Sequence, residues 1–472
     1  MSRRRQRSLS WWCCGVLLAF LTSGLHAQSL PSEVDVELRR AAVPSSAVGV
    51  LVQEVGAVAP LVSFNAQAAL NPASTMKLLT TFAALELLGP AYTWKTVLAS
   101  SAPAADVLNG DLVLKGSGDP KLVLESFWLL LRQLRQRGVR EIRGDLVLDR
   151  SVFDLAPFDP ARFDADPLRP YNVGPDGLLV NFKSVIFRFV PDVERRIALV
   201  ISEPRGASAP SVPRLVEGPC GDWRGGLRAD FSNPARPVFQ GVYPRSCGER
   251  NWPVSLLAPN QYLETLFRQM WSEAGGVLRG VVREGLMPAD ASVLAERQSP
   301  SLAEVVRDIN KFSNNVMARQ LYLSLPVELE RQPGSVERAE RLVRAWLDRR
   351  GLAMPELVIE NGAGLSRLER ISAGNMGRLL LAAFASPVMP EFVASLPLAG
   401  SDGTMRRRLN GRSISGRAHI KTGTLTDVRA LAGYVLAASG KRYAVVALVN
   451  HANAAGTQAA LDALLQWVFE RG

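Results

Sequence analysis

The chain has 472 residues, 55 of them basic and 44 acidic, for a formal charge of +11, with 47% hydrophobic and 21% charged side chains. That composition excludes a disordered chain, a collagen-like fibre and a disulfide-dense miniprotein, and the length exceeds the about 250–300 residues at which a single core stops growing. Lysine is scarce, 8 against 47 arginines, so a lysine inside a motif carries unusual weight.

The N-terminus has the form of an export signal. Arg3, Arg4, Arg5 and Arg7 make a basic start, Trp11–Leu21 is an uncharged stretch of 11 residues, and Leu25-His26-Ala27 offers a cleavage site before Gln28. An uncleaved anchor is the alternative, disfavoured because a bilayer span needs about 20 apolar residues. Cleavage after Ala27 leaves 445 of the 472 residues and, removing four arginines and no acid, lowers +11 to +7. No later apolar run approaches about 18 residues, so a periplasmic protein with at most peripheral membrane contact is expected. Cys13 and Cys14 leave with the signal. Cys220 and Cys247 remain as an even pair in an oxidising compartment, expected as a disulfide, with two free buried thiols as the alternative. Lacking a second pair or a nearby histidine, they make no zinc site.

Next come two strand-like runs, Ala47–Val55 and Pro60–Phe64, and then a helix opening at Asn71-Pro72 and ending near Gly89. Its apolar residues, among them Met76, Leu79, Phe82 and Leu85, cover most of its surface, the mark of a buried helix. Residues 98–257 change texture, with short strands, many prolines and both remaining cysteines. Gly110-Asp111-Leu112-Val113-Leu114 is echoed at Gly144-Asp145-Leu146-Val147-Leu148, either a repeat or two similar strands, and Asn181–Phe189 with Arg196–Ser202 reads as a strand pair. This section reads as an insertion of one or two small folds. A helical run spans Leu302 to Leu323. The C-terminal part offers strands Ala418–Gly423, Arg429–Ala437 and Arg442–Val449, and a final helix Thr457–Phe469 whose apolar face reads as core. Two early and three late strands make one five-stranded antiparallel sheet flanked by helices, an α/β (α+β) domain. The chain then divides into a signal (1–27), two parts of a catalytic domain (28–97 and 258–472) and the insertion (98–257).

The chemistry rests on three short motifs. The sequence contains no G-x-S-x-G elbow, H-E-x-x-H pair or P-loop, and after signal removal only His419 and His451 remain. Ser74-Thr75-Met76-Lys77 opens the buried helix, where positions i and i+3 share a face. A lysine amine whose pKa is depressed by burial and a second cation can take the serine proton. Ser313-Asn314-Asn315 presents a hydroxyl and an amide from one turn of the predicted helix. Lys421-Thr422-Gly423-Thr424 ends a predicted strand, where an ammonium and hydroxyls can hold a carboxylate and the glycine admits a substrate backbone. Each motif alone is weak; Ser-x-x-Lys occurs about once by chance in a chain of this length. The three in this order, on a helix start, a helix and a strand edge, use two of the 8 lysines.

Together the motifs resemble the active-site triplet of serine penicillin-recognising enzymes. The 239-residue interval from Ser74 to Ser313 is similar to that of the low-molecular-mass class C penicillin-binding proteins, the D-alanyl-D-alanine carboxypeptidase/endopeptidases. Gly116-Ser117-Gly118-Asp119-Pro120, Tyr171–Phe182, Asn361-Gly362-Ala363-Gly364-Leu365-Ser366 and Gly400–Arg408 also look like that family, and the E-x-x-L-N motif of class A β-lactamases is absent. The resemblance implies a serine β-lactamase/DD-peptidase-like fold and attack by Ser74 on the terminal D-Ala-D-Ala bond of peptidoglycan stem peptides. Lys77 would be the base, Ser313 and Lys421 the proton relay, and Asn315 the amide clamp. Thr422, Gly423 and Thr424 would bind the terminal carboxylate, with no cofactor or metal and no nucleic acid. β-Lactams would acylate Ser74. By the same resemblance Asp166 and Tyr171, with Leu425 beside them, would form a pocket for the end of a diaminopimelate side chain. A β-lactamase and a catalytically idle wall-binding scaffold are the alternatives. His419, two residues before Lys421, reads as a structural histidine, and Arg406-Arg407-Arg408 as a solvated face.

Overall fold

The computed structural model describes residues 29–205 and 212–472. The expected export signal, with Arg3, Arg4, Arg5, Arg7, Cys13 and Cys14, lies outside the described residues.

Five strands lie side by side in the order Ala418–Leu425, Val428–Leu436, Arg442–Asn450, Val48–Glu54 and Val62–Phe64, every pair antiparallel. One row across this sheet reads Thr422, Leu431, Ala447, Val50, Phe64. Because side chains alternate between faces, the central strands serve two cores. Ala430, Ala432 and Tyr434 pack with the helix Lys77–Leu88 and its neighbours, while Leu431 and Val435 pack with the terminal helices Ser32–Arg40 and Gln458–Arg471. The sequence pattern marks no element at Ser32–Arg40, whose core face is only Val34 and Leu38. The helix expected over Leu302–Leu323 is two helices, Leu302–Phe312 and Asn315–Glu330. They break at Ser313, which takes left-handed backbone angles (φ 56°, ψ 39°), and Asn314 caps the second by accepting from Met317 N at 3.0 Å.

The echoed pentapeptide is a stack. Strands Val107–Leu108, Glu141–Ile142 and Val277–Leu278 pair in parallel, each chain turns at a glycine, and Leu112–Lys115, Leu146–Asp149 and Val282–Glu284 pair in parallel again. The glycines sit on one another: a methyl on Gly144 would lie 2.3 Å from Gly110 C, and one on Gly280 would lie 2.2 Å from Gly144 O. Asp111 Oδ1 accepts from Asp145 N at 2.8 Å and Asp145 Oδ1 from Val281 N at 3.0 Å, while Arg283 bridges both carboxylates at 2.6 and 2.8 Å. The third rung escapes the sequence pattern because Val281 stands where the others have aspartate.

Strand Ser292–Gln298 then completes this sheet by pairing with Lys95–Ser100. By pairing, the middle section therefore runs to Gln298 rather than residue 257. Helix Pro259–Glu273 goes with it, since Tyr262, Leu266, Phe267 and Trp271 are buried in the same core as Leu114 and Phe187. A six-stranded sheet contains the expected pair, observed as Val185–Asp192 with Ile197–Glu203, together with Arg214–Val216, Leu227–Asp230, Val238–Pro244 and Arg250–Val254. Cys220 and Cys247 form a disulfide there, Cα–Cα 4.7 Å. No described helix is long and apolar enough to cross a membrane.

Candidate active site

The turn that carries Ser74 is shaped by Asn71. Its side-chain oxygen accepts from Ala73 N at 2.8 Å, Thr75 N donates to Pro72 O at 3.1 Å, and Ser74 falls between them on a 3₁₀ turn, Ala73–Met76. Ala73 is held at φ 44°, backbone strain of the kind found at functional sites. The α-helix proper starts at Lys77, so Ser74 precedes it rather than sitting in its first turn.

Lys77 is fully buried. Its Nζ donates to Ser74 Oγ at 3.0 Å, to Asn315 Oδ1 at 2.6 Å and to the Ala363 carbonyl. Since an ammonium has no acceptor, the Asn315 oxygen must face it, which leaves the amide N–H₂ as Asn315's donor end. Burial first, and then the charge of Lys421, push the Lys77 pKa well below its ordinary value. Lys421 is equally buried and is lowered by desolvation to about 7. Its Nζ donates to Ser313 Oγ and to Thr422 O, both at 2.8 Å. The left-handed turn at Ser313 thus delivers its hydroxyl to the third motif. Ser74, Lys77 and Asn315 are joined by direct hydrogen bonds, as are Ser313 and Lys421.

The strand Ala418–Leu425 is an edge strand, and its register fixes which groups face outward. Ala399 N donates to Ala418 O at 2.9 Å and Ile420 N to Pro397 O at 2.8 Å. The residues of the same parity, Thr422 and Thr424, therefore also turn their N–H and C=O away from the neighbouring strand. Thr422 Oγ1 donates to Thr404 Oγ1 at 2.8 Å, in the loop after Gly400. At Gly423 a methyl would lie 2.7 Å from Pro72 O and 3.1 Å from Ala73 Cβ. The glycine lets the strand close on the serine turn. Gly364, at φ 78°, does the same from the other side, where a methyl would lie 1.9 Å from Ala73 O.

Some expected residues sit elsewhere. Leu425 is buried with Ala73 and Val428 against Phe163 and Leu365, and it does not line the cavity that Asp166 and Tyr171 line. Strand alternation turns it inward behind the exposed Thr424. Asp166 is tied to Arg169 at 2.6 Å, whereas the Tyr171 hydroxyl donates to Asp164 at 2.7 Å. Asp164 also accepts from Asn172 at 2.6 Å. His419 has its pKa lowered by burial and by Lys311. Arg406 and Arg407 are exposed, but Arg408 makes a two-pronged bond to Asp462 at 2.6 and 3.0 Å, so that part of the run is a structural contact.

Glu369 escapes sequence reading. It is fully buried, and one carboxylate oxygen accepts from Glu360 N at 3.2 Å and Asn361 N at 3.1 Å. Those bonds hold the loop whose Ala363 carbonyl meets Lys77 and whose Gly362 carbonyl accepts from Thr80 at 2.6 Å. Burial raises its pKa to about 7, against the opposing pull of these N–H groups and of Lys77. Gln320 is a second such residue. Buried on helix Asn315–Glu330, it donates to Gly118 O and Asp176 O and accepts from Asp176 N, docking two loops of the insertion beside the Ser-x-Asn motif.

Residues 30–470 match the profile of the D-Ala-D-Ala carboxypeptidase 3 (S13) family. The chain is 31% identical over 444 residues to a D-alanyl-D-alanine carboxypeptidase of Actinomadura sp. (strain R39), covering 89% of this chain and 80% of that one. It is 23% identical over 435 residues to the D-alanyl-D-alanine carboxypeptidase DacB of Haemophilus influenzae, covering 89% and 90%. The fold matches the crystal structure of penicillin binding protein 4 (dacB) from Haemophilus influenzae with a TM-score of 0.77 at 21% identity, over 93% of this chain and 99% of that one. The same protein complexed with a β-lactam matches at 0.72.

Proposed function

The chain belongs to the D-Ala-D-Ala carboxypeptidase 3 (S13) family and is a serine-type D-alanyl-D-alanine carboxypeptidase acting on peptidoglycan, and from that premise we propose the part each residue plays. The observation that carries the assignment is the buried Lys77 amine 3.0 Å from Ser74 Oγ. With its pKa depressed, the amine is available unprotonated and accepts the hydroxyl proton along the line of that hydrogen bond. Ser74 Oγ then bonds to the carbonyl carbon of the penultimate D-alanine. The oxyanion lies between the N–H groups of Ser74 and Thr424. The outward parity of Thr424 supports the second of these, and losing one such donor typically costs about 10²–10³ in rate.

When the tetrahedral adduct collapses, the peptide C–N bond breaks and Ser313 passes a proton to the leaving D-alanine nitrogen while taking one from the Lys421 ammonium hydrogen-bonded to it. Asn315 holds the substrate amide through the N–H₂ that Lys77 leaves free. Thr422 and Thr424, beside the Lys421 charge, bind the terminal carboxylate. Water then attacks the acyl carbon, its proton passing through Ser313 back to Lys421, and the C–Oγ bond breaks as Lys77 returns its proton to Ser74, releasing the product acid, which ionises in solvent. β-Lactams enter by the same attack, and their ring-opened acyl group stays on Ser74. Cleavage of D-Ala-diaminopimelate cross-links uses the same steps with a different leaving amine. The basic, uncharged-core N-terminus supports export to the periplasm.

Ser74→Ala is expected to lower D-alanine release from a pentapeptide by about 10⁴-fold or more. Release at the wild-type rate would overturn the assignment. A cross-linked muropeptide dimer assayed alongside divides carboxypeptidase from endopeptidase activity.

A further inference from the structure

A cavity of about 940 Å³ opens directly from the second motif: Phe312, Ser313, Asn314 and Asn315 form one of its walls. Other lining comes from the inserted six-stranded sheet and its loops: Trp252 on the strand Arg250–Val254, Phe231, and Asp222, Arg224 and Gly225. Pockets of this size take ligands of several residues. The cavity is therefore larger than one terminal dipeptide requires, and its lining reaches from the Ser-x-Asn motif to the inserted sheet.

Its charges are unequal. Asp166 is paired with Arg169 at 2.6 Å, and Asp222 accepts from Gly225 N at 3.2 Å. Arg224 has no carboxylate partner among the described residues. Its guanidinium carbon instead lies 5.3 Å from the centre of the Trp223 ring and 5.2 Å from that of Trp252. The two indoles, themselves edge to face at 6.2 Å, hold the cation by its π-faces. A guanidinium held in that way keeps its planar fork of N–H donors for a carboxylate.

We propose that this groove is a second subsite for the stem peptide, in which Arg224 binds a free carboxylate that the peptide carries several residues before the scissile bond. Peptidoglycan stems have such a group, the α-carboxylate left free by a γ-linked D-glutamate. The inserted sheet then reads the distal part of the substrate while the three motifs cut its end. This subsite rests on the DD-peptidase reading above.

The test compares kcat/KM of the wild type and Arg224→Gln on three peptides. They are L-Ala-γ-D-Glu-meso-diaminopimelyl-D-Ala-D-Ala, the same peptide with the glutamate α-carboxylate amidated, and diacetyl-L-Lys-D-Ala-D-Ala. The variant is expected to lose about fivefold on the free-acid peptide, the scale of a partly exposed ion pair, and to leave the other two unchanged. The wild type should prefer the acid to the amide by the same factor, and Arg224→Lys should recover part of the loss. An equal loss on all three peptides, or no loss on any, overturns the subsite. Unimpaired turnover of the short lysyl peptide shows that the variant is folded and the Ser74 chemistry intact, whereas a loss there points to the fold or to the DD-peptidase reading itself.

Discussion

In the mechanism proposed above, two buried lysines with different tasks make the rate depend on pH from both sides. Lys77 must lose its proton to act as base, so kcat/KM rises as pH increases through its lowered pKa. Lys421 must keep its proton to serve the carboxylate and the leaving group, so the rate falls again as pH passes about 7. A bell-shaped profile is expected. Lys421→Arg, whose guanidinium stays charged throughout the working pH range, should lose the falling limb even where the maximum drops; an unchanged falling limb would assign it to another group. Glu369 gives a second test. Its folded pKa of about 7 lies above the usual carboxylate value, so the native state binds more protons than the unfolded chain between these limits, and its contribution to stability falls as pH rises through that window. Glu369→Gln can still accept the two backbone N–H bonds. It should equal the wild type in thermal unfolding at pH 4 and exceed it at pH 8, and a variant less stable at pH 8 would show that the ionised carboxylate stabilises the fold. The three motifs were legible because their residue types and order are unusual in combination. Glu369 was not, since it lies 292 residues from Lys77 and only folding shows what it touches.

At the scale of elements, the sheet could be anticipated from alternating small and β-branched residues, and the buried helix from apolar residues all round. The break at Ser313 could not. Val306, Ile309, Val316 and Met317 continue an apolar pattern across it, all four buried, and the left-handed turn leaves no mark in that pattern. The same limit hid the third rung of the insertion. Pentapeptide identity found two rungs, while stacking of Gly110, Gly144 and Gly280 defines three. A methyl on Gly144 would press on backbone of the Gly110 rung, 2.3 Å from Gly110 C and 2.4 Å from Gly110 O, so Gly144→Ala is expected to cost about 1–3 kcal/mol in denaturant unfolding. Its kcat on a pentapeptide should stay near wild type, because the rung lies outside the catalytic sheet. Unchanged stability would mean that the stack relaxes freely and does not order the insertion.

For the whole molecule, the change of texture over residues 98–257 points to an insertion between two parts of one domain, but the ends of its sheets are not legible there. Strand pairing rather than composition sets them: Lys95–Ser100 closes against Ser292–Gln298, partners that are remote in sequence. The two parts meet where the chemistry is, through Gln320 on the Ser-x-Asn helix and through the groove that Arg224 overlooks. Every step proposed for this enzyme runs through acylation of Ser74. Intact-protein and peptide mass spectrometry after incubation with penicillin G tests this most directly. The predicted result is one added penicilloyl group, on the peptide containing Ser74, and none in Ser74→Ala. An adduct on another residue, or an adduct that persists in Ser74→Ala, would contradict it.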